Sequence, residues 1–388
     1  MVALVRQGHS QRAVARQFGV QLRTVQRWLQ RARGRRLDRV DWSDAPDGCQ
    51  QPPQRTSRTL EDRVLRLRRA LKETSALGEY GAAAIHRELS QRSPKKPGKK
   101  IPSLRTIGRI LVRRGALDGQ RRVRRPPPPR GWFLPDVAAG RAELDSFDIV
   151  EDLVIEGGTF VHVLNGVSLH GGLCASWPRT RITAKNTVQS LLQHWRQFGV
   201  PAYAKFDNDT VFQGTHRFAD SFGRVTRLCL SLGVTPVFAP PGETGFQADI
   251  ENYNGRWQSK VWRRFHFTSP ADVMAQSDRF VAACHRRSAP RIQDAPTRRP
   301  FPTDWHLDLQ APLRGLVIFL RRTDEAGQVT LLGRRYRASR VWPHRLVRVE
   351  VDLTRGKLRC YALRRREPSA QPLLATHTYR PPQKTFHE

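Results

Sequence analysis

The chain has 388 residues, with 68 Lys or Arg against 34 Asp or Glu, which gives a formal net charge of +34 and a pI of about 11.4. This length accommodates about two to four domains, and this charge indicates a polyanionic partner, with nucleic acid favoured over an anionic membrane surface. No apolar run approaches the ~18 residues of a spanning helix and no secretory signal segment is recognisable, so we expect no membrane association and a cytoplasmic protein.

Two short helical modules are predicted in the first third of the chain. Residues 1–35 carry the first, with Ser10 as a helix cap and with Val25, Trp28 and Leu29 on one side of the last helix. This spacing is typical of a helix-turn-helix, whose last helix enters the major groove of DNA. An ordinary three-helix bundle is the alternative interpretation. The residues expected to face DNA are Gln21, Arg23, Thr24, Gln26 and Arg27.

Residues 58–117 predict a second helix-turn-helix, in which Ser103 caps the last helix and Gly115 follows it. A lysine-rich loop precedes that cap and is either a phosphate contact or a solvated connection. The segment 118–138 contains "RRVRRPPPPRGWF" and predicts a stiff, basic linker. The further DNA-binding candidates in these two stretches are Lys95, Lys96, Lys99, Lys100, Arg121, Arg122, Arg124 and Arg125.

From about residue 141 the periodicity changes to that of an α/β domain. Three strand-like runs separated by Gly-Gly turns precede an amphipathic helix, and strand, helix, strand and helix follow up to about residue 270. Three antiparallel strands followed by alternating helices and strands are the order of an RNase H-like fold. Residues 141–260 hold 11 basic and 12 acidic residues, so this domain is nearly neutral within a strongly cationic chain.

Residues 300–370 return to short strands in which apolar and basic residues alternate, and they predict a small β-barrel with a cationic surface. The predicted fold class is therefore multidomain, with helical helix-turn-helix modules, an α/β RNase H-like core and a small C-terminal β-barrel.

Three carboxylates stand where strand ends and a helix of such a core would converge. Asp148 lies in the first strand, Asp207 follows the fourth strand, and Glu251 lies in the helix after the fifth strand. Phosphoryl transfer with two metal ions needs carboxylates from different elements at one point, and oxygen ligands suit Mg²⁺. Each residue has a rival nearby, since Asp145, Asp209 and Asp249 could replace them in turn. Asp145 and Asp148 are three apart and point to opposite faces of a strand.

These residues resemble the DDE transposases of bacterial insertion sequences, which are relatives of the retroviral integrases. The resemblance is carried by Asp148 in "SFDIV", by Asp207 and Asn208 in "FDNDTVF", and by Glu251 and Asn254 in "PPGETGFQADIENYN". The sequence departs from the family pattern at Asp209, where glycine is common, and at Gln247-Ala248, where Asn-Gly is usual. The helical start and the strand-rich end of the chain also look like that family.

The resemblance implies metal-dependent DNA cleavage and strand transfer, with Asp148, Asp207 and Glu251 as ligands of two Mg²⁺, which Mn²⁺ can replace, and with Asn208 and Asn254 in support. It implies double-stranded DNA as partner, both the terminal repeats of a mobile element and target DNA, a homodimer or higher multimer on that DNA, and a bacterial protein associated with the nucleoid when bound. Some relatives need an ATPase partner, on which this sequence is silent. A competing hypothesis is a catalytically inactive DNA-binding accessory or regulatory protein that retains the scaffold, and a third is a membrane-surface or RNA-binding protein.

Overall fold

A computed structural model of the protein describes residues 1–43, 56–92, 101–117, 130–214, 219–243, 245–365, 367–380 and 386. The chain divides into two compact units, Met1–Glu61 and Asp62–Glu388. The second unit contains both a helical module and the large mixed sheet.

The first unit is built from three helices and a short 3₁₀ turn. Ser10 caps the second helix by accepting a hydrogen bond from the backbone N–H of Ala13 at 3.2 Å, and Gly19 turns the chain towards the third helix with φ of +63°. Val14 and Val25 are fully buried between the helices. The elements are α1 (Val2–Arg6), α2 (Gln11–Gln17), α3 (Leu22–Arg31) and the turn Leu37–Arg39.

The second helical module comprises α4 (Arg58–Thr74), α5 (Ala82–Arg92) and α6 (Leu104–Arg113). Ser103 caps α6 as the sequence predicts, because its hydroxyl accepts a hydrogen bond from the backbone N–H of Thr106 at 3.2 Å. The apolar faces of the three helices share one small core, whose buried members are Val64, Leu67, Ile85, Leu89, Ile107, Ile110 and Leu111.

One large mixed sheet organises the rest of the second unit. Among the described residues it has nine strands in the order β11-β10-β9-β6-β5-β4-β1-β2-β3. Within it, β1, β2 and β3 are antiparallel, whereas β4 and β5 run parallel to β1. This is the strand arrangement of the predicted RNase H-like core. Its strands are β1 (Leu144–Val154), β2 (Phe160–Ser168), β3 (Cys174–Arg179), β4 (Tyr203–Phe206) and β5 (Thr235–Phe238).

Helices cover both faces of this sheet. On one face, buried Phe147 and Phe206 pack against Leu191 and Trp195. On the other face, Val163 packs in a second cluster with residues of the two helices that cover it. The helices are α7 (Pro135–Ala138), α8 (Ala184–Phe198), α9 (Thr210–Gln213), α10 (Arg224–Ser231), α11 (Ala248–Trp257) and α12 (Pro270–Gln293), with a π-helical turn, Gln258–Trp262, after α11. We call the face that carries α11 and α12 the α11 face.

A single glycine permits the tight packing at the centre of the sheet. Gly166 of β2 pairs with Phe147 of β1. A Cβ atom at Gly166 would lie 2.7 Å from the Phe147 ring, a distance at which the ring would have to shift. Phe147 in turn stacks on Phe206 with ring centroids 5.6 Å apart, so the absence of a side chain at position 166 keeps β1 and β4 aligned.

The second helical module is docked on the α/β core by cations that meet the end of α4. Arg264 donates to the backbone carbonyls of Glu73, at 2.6 Å, and of Ser75, and Lys260 donates to the carbonyl of Gly78 at 3.3 Å. Carbonyls at the end of a helix lack partners within the helix and carry its negative dipole end. The guanidinium of Arg264 supplies both the missing hydrogen-bond donors and a positive charge.

The separate C-terminal β-barrel that the sequence predicts is not confirmed. The strands after residue 315 are β6 (Leu316–Arg322), β7 (Gln328–Leu331), β8 (Arg334–Arg337), β9 (Leu346–Asp352), β10 (Lys357–Ala362) and β11 (Leu373–Thr378). Four of them extend the core sheet, because β6 pairs in parallel with β5. The edge of β5 would otherwise present unpaired backbone groups, and Phe319 stacks on Phe238 with centroids 5.1 Å apart.

Part of the segment predicted as a linker is also packed into the core. Trp132 and Phe133 are buried and contact Phe246 with ring centroids 5.6 Å away in each case. Burial of these two large apolar side chains holds this part of the segment in the core, although the stretch before it is basic and rich in proline. Among the described cysteines, Cys174, Cys229, Cys284 and Cys360 are free and buried. Every helix within the described ranges is too short or too polar to cross a membrane.

Candidate active site

Asp148 and Asp207 lie at neighbouring strands on the same face of the sheet. The parallel register of β1 and β4 pairs Ser146 with Lys205, and two further residues along each strand lead to Asp148 and Asp207. Because side chains alternate between faces, Ser146, Asp148, Lys205 and Asp207 all belong to the α11 face. The body of β1 and the end of the parallel strand β4 therefore bring both carboxylates side by side on this face, as the sequence predicts.

The environment of Asp148 disfavours its charged form. Burial raises its pKa to about 6, and the neighbouring carboxylates of Asp207 and Glu251 add to the effect. Two hydrogen bonds oppose this shift of the pKa, one from the backbone of Ile149 and one from Nδ2 of Asn254 to Oδ2 of Asp148 at 2.7 Å. Three carboxylates, those of Asp148, Asp207 and Glu251, are thus close enough to repel one another.

Behind Asp148 a chain of buried hydrogen bonds runs through the α11 face, and we call it the amide relay. Nδ2 of Asn165 donates to Oδ1 of Asn254 at 2.9 Å, and the hydroxyl of Ser176 donates to Oδ1 of Asn165 at 2.6 Å. The hydroxyl of Tyr253 lies 2.8 Å from that of Ser176. Since Ser176 has only one proton and gives it to Asn165, Tyr253 is the donor to Ser176.

All donors of the amide relay therefore point towards Asp148. Such chains polarise one another in a medium of low dielectric constant. The relay fixes the orientation of the Asn254 amide. Because Asn165 donates to its oxygen, the NH₂ group of Asn254 faces the Asp148 carboxylate. Asn254, expected as a supporting residue, thus contacts Asp148 directly.

Asp207 begins a loop that the C-terminal strands hold in place. Burial raises the pKa of Asp207, and the carboxylates of Asp209 and Glu151 raise it further. The next residue, Asn208, donates from Nδ2 to the carbonyl of Ala239 at 2.7 Å. Its Oδ1 accepts a hydrogen bond from Arg321 of β6 at 2.8 Å. Asn208 therefore acts as a brace between the end of β4, the end of β5 and β6.

Glu251 is carried by the first turn of α11 and its side chain is exposed. It lies one turn before Asn254 on the same helix, and its charge contributes to the raised pKa of Asp148. The buried residues Ile250 and Trp257 anchor this helix on the sheet. Glu251 consequently faces the same region as Asp148 from the neighbouring layer.

The rival Asp145 has a structural partner on the opposite face. Its carboxylate is 1% exposed and accepts hydrogen bonds from Arg298 at 2.8 and 2.6 Å and from Nε1 of Trp195 at 3.1 Å. Burial alone would raise the pKa of Asp145, but the charge and hydrogen bonds of Arg298 outweigh burial and lower it. Asp145 is on the other side of the sheet from Asp148.

The rivals Asp249 and Asp209 are likewise engaged. Asp249 accepts hydrogen bonds from Lys205 at 2.7 Å and from Ser146. Burial would raise its pKa, but the Lys205 ammonium lowers it overall. Asp209 caps α9 by accepting a hydrogen bond from the backbone N–H of Val211 at 2.7 Å. Each rival therefore has a local structural task.

The oxygen ligands beside Asp148 are of the kind that hard divalent cations prefer. Asp148 and Asp207 offer carboxylate oxygens, which such ions prefer, and a cation would relieve the repulsion that raises the pKa of Asp148. Within the described part of the chain, no three His, Cys, Asp or Glu side chains are close enough together to hold a metal ion as they stand.

The candidate DNA-reading residues of the first unit lie on and next to α3. Gln21, which precedes the helix, is exposed, as are Arg23, Gln26 and Arg27, whereas Thr24 is half-buried. The other basic candidates, Lys95, Lys96, Lys99, Lys100, Arg121, Arg122, Arg124 and Arg125, lie outside the described residues.

Sequence reasoning missed four polar residues that support this edge. Arg321 falls in the alternating apolar and basic stretch for which the sequence predicts a cationic surface, yet it is buried, and burial lowers its pKa to about 10. Asn165 and Ser176 sit in apolar strand runs, where a polar residue at an inward position is the signal that could have found them. Glu151 follows Asp148 at a β-bulge, where the register shifts between Val150 and Leu153.

Comparison with known proteins gives one sequence match and several slight structural ones. Residues 1–40 match a family model described as a homeodomain-like domain. No curated protein matches the chain.

The structural neighbours are retroviral integrases. The magnesium complex of the dimeric HTLV-2 integrase catalytic core is 13% identical over 37% of this chain and 83% of its own, with a TM-score of 0.27. The integrase of a simian T-cell lymphotropic virus intasome, in complex with the PP2A regulatory subunit B56 gamma, is 13% identical over 72% of this chain and 88% of its own, at 0.33. The BIV integrase core is 17% identical over 37% and 80%, at 0.26. These likenesses are slight, and the fold is assigned from the strand order itself.

Proposed function

We propose that this protein is a DNA-processing enzyme of the transposase or integrase type, which binds the ends of a mobile DNA element and catalyses strand cleavage and strand transfer. The observation that carries the proposal is the meeting of Asp148 and Asp207 on the α11 face, with Glu251 on the helix that packs there. The three rival carboxylates are committed to Arg298, to Lys205 and to a helix cap.

In this proposal Asp148, Asp207 and Glu251 would hold two Mg²⁺, which supply charge stabilisation to the attacking and leaving oxygens of the phosphodiester. The chain's own residues prepare that site. Asn254 orients the Asp148 carboxylate through its 2.7 Å hydrogen bond. Asn208 and Arg321 hold the loop that carries Asp207, so one carboxylate is presented from the body of β1 and the other from the braced end of β4.

DNA recognition is assigned to the helical modules and to the basic stretches around them. The homeodomain-like match covers α1 to α3, and a helix-turn-helix places its last helix in the major groove. Arg23 and Arg27 of α3 would then contact duplex DNA. We propose that the protein works as a dimer or higher multimer on paired DNA ends.

The proposal is tested by strand transfer on a labelled duplex that the protein itself selects from a random pool. Wild type with Mg²⁺ or Mn²⁺ is compared with Asp207→Asn and Glu251→Gln. The matched control is Asp209→Asn, which makes the same chemical change two residues away. Asn caps helices as well as Asp does, so this substitution should preserve the cap of α9.

We expect joined products from wild type and from Asp209→Asn, and none from the two site variants, while all four bind the duplex equally. Loss of transfer in Asp209→Asn with retention in Asp207→Asn would reverse the assignment of the second carboxylate. Binding without any nicked or joined product in wild type would favour the accessory-protein hypothesis.

A further inference from the structure

A cavity of about 390 Å³ lies on the α11 face beside the candidate carboxylates but outside them. It is bounded by the segment before α7, by the end of β2 and by α11 and α12. Its volume is within the range of pockets that hold small ligands. The proposed function assigns no task to it.

Helix geometry separates this cavity from the candidate active site. Asp249, Asn252, Tyr253 and Arg256 of α11 line the cavity. At about 100° per residue, Glu251 projects on the order of 150° around the helix axis from the centre of that group. The cavity and the carboxylate site therefore occupy opposite flanks of the same helix.

The charge of the lining is strongly positive. Arg130, Arg256, Arg291 and Lys205 stand against a single described carboxylate, Asp249, which is already paired with Lys205 at 2.7 Å. The three arginines come from three separate elements, so no single helical stripe accounts for their convergence.

Nearby acidic groups do not neutralise these arginines. Glu143 is buried and its oxygens accept hydrogen bonds from the backbone N–H groups of Leu144, His170 and Gly171. Burial lowers the pKa of Arg291, and the adjacent Arg130 lowers it further, against the opposing effect of Glu143. The Arg291 guanidinium donates to the backbone carbonyls of Leu169 and His170, which hold it at the wall of the cavity near Arg130.

Apolar and aromatic surface completes the lining. Phe133, Phe246 and Tyr253 border the cavity next to the arginines. Arginines in a fork geometry suit phosphate oxygens, and aromatic rings suit the sugar and base attached to them. The two kinds of lining together match a nucleotide better than an inorganic ion.

We propose that this cavity binds a nucleotide through its phosphate group, at Arg130, Arg256 and Arg291, on the flank of α11 opposite Glu251. The nucleotide belongs either to a bound DNA strand or to the free pool, and the shared chemistry is a phosphate ester with its sugar and base.

The test uses the full-length protein and measures its thermal midpoint with deoxyadenosine monophosphate, with deoxyadenosine, and with NaCl at matched ionic strength. The site variant is the double substitution Arg130→Gln with Arg256→Gln. The matched control is Arg181→Gln with Arg279→Gln, which removes the same charge from exposed positions outside the cavity. Unliganded midpoints show whether each variant folds.

We expect the monophosphate, and not the nucleoside, to stabilise wild type and the control, with binding at least about tenfold weaker in the site variant. The shift disappears in saturating duplex if a DNA strand occupies the cavity and persists if the ligand is a free nucleotide. No shift with the monophosphate, or an equal loss in both double variants, overturns the proposal.

The outcome is independent of the catalytic assignment. Asp207→Asn alters the other flank of α11 and is expected to bind the monophosphate as wild type does. If wild type transfers no strands yet the monophosphate binds in the cavity, the proposed function fails and the nucleotide site stands.

Discussion

Asp145 and Asp148 project from opposite faces of β1, where Asp145 meets the guanidinium of Arg298 at 2.6 Å and Asp148 faces the carboxylate of Asp207. The two aspartates accordingly differ in pKa. Arg298 overcomes burial and lowers the pKa of Asp145, whereas burial and Asp207 raise that of Asp148 to about 6. One strand thus carries a carboxylate that stabilises the fold and another whose charge opposes it.

Substitution Asp145→Asn is expected to destabilise the α/β core by about 3–5 kcal/mol, because it leaves Arg298 buried without its partner. Urea unfolding followed by tryptophan fluorescence measures the change. The control is Asp136→Asn, which breaks an exposed pair with Arg141 and should cost less than about 1 kcal/mol. Equal effects of the two substitutions would contradict the structural role of Asp145.

Substitution Asp148→Asn should not destabilise the protein, in contrast to Asp145→Asn. It removes a charge that burial and Asp207 oppose, so the thermal midpoint should equal or exceed that of wild type, while strand transfer is abolished. The pair of measurements separates a functional carboxylate from a structural one. A clear fall in the midpoint would show that Asp148 serves the fold instead.

The amide relay predicts a role for Ser176, which is buried and reaches Asp148 only through Asn165 and Asn254. Ser176→Ala removes the donor to Asn165 and releases the orientation of the Asn254 amide, so we expect kcat of strand transfer to fall about tenfold. KM and duplex affinity should not change. Ser190→Ala, a buried serine of α8 on the opposite face, is the control. A fall in affinity without a fall in kcat would argue against the relay.

His194 predicts a loss of stability in mild acid. Burial lowers its pKa to about 4, so between pH 6.5 and about 4 the unfolded chain binds a proton that the native protein does not. The contribution of His194 to stability should therefore fall as pH is lowered through this window, by up to about 3 kcal/mol, while Asp148, whose pKa is raised to about 6, contributes in the opposite direction. In the Asp148→Asn background, which removes that opposing contribution, His194→Phe should flatten the dependence of the unfolding midpoint on pH, whereas substitution of the exposed His266 by Phe should not.

The assignment of α3 to the major groove predicts a change in salt dependence. Arg23→Gln should weaken duplex binding, and if Arg23 contacts a phosphate the slope of log K against log salt should fall by about 1. Titrations at several salt concentrations measure it. The control Arg39→Gln alters the 3₁₀ turn and should keep the wild-type slope.

The elements of the core could be predicted because their signals are local. Thr183 and Gly199 mark the two ends of α8 in the sequence and in the structure, and the alternation of "LDSFDIV" predicts the faces of Asp145 and Asp148. The three candidate carboxylates could be named for the same reason, since Asp148 lies in a recognisable strand, Asp207 follows the end of another and Glu251 lies in the first turn of a helix.

The remaining features depend on partners far away in the chain. Asp249 could not be separated from Glu251 until Lys205 was seen beside it, and Asp145 until Arg298 was. No periodicity shows that β6 pairs with β5 rather than closing a barrel, because the alternation of a strand is the same in either case. The packing of Trp132 was hidden by the basic stretch before it.

The pairing of β6 with β5 also bears on how the protein is made. Phe238 ends β5, yet its partner Phe319 in β6 lies far along the chain, so during synthesis one side of the core sheet stays an unpaired edge while α11 and α12 emerge from the ribosome. Bare edges invite other strands, and contacts distant in sequence form slowly. The nascent protein is therefore most prone to aggregation before β6 is synthesised. At that stage β1, β4 and α11 are complete, but Arg321 is not yet present to hold Asn208.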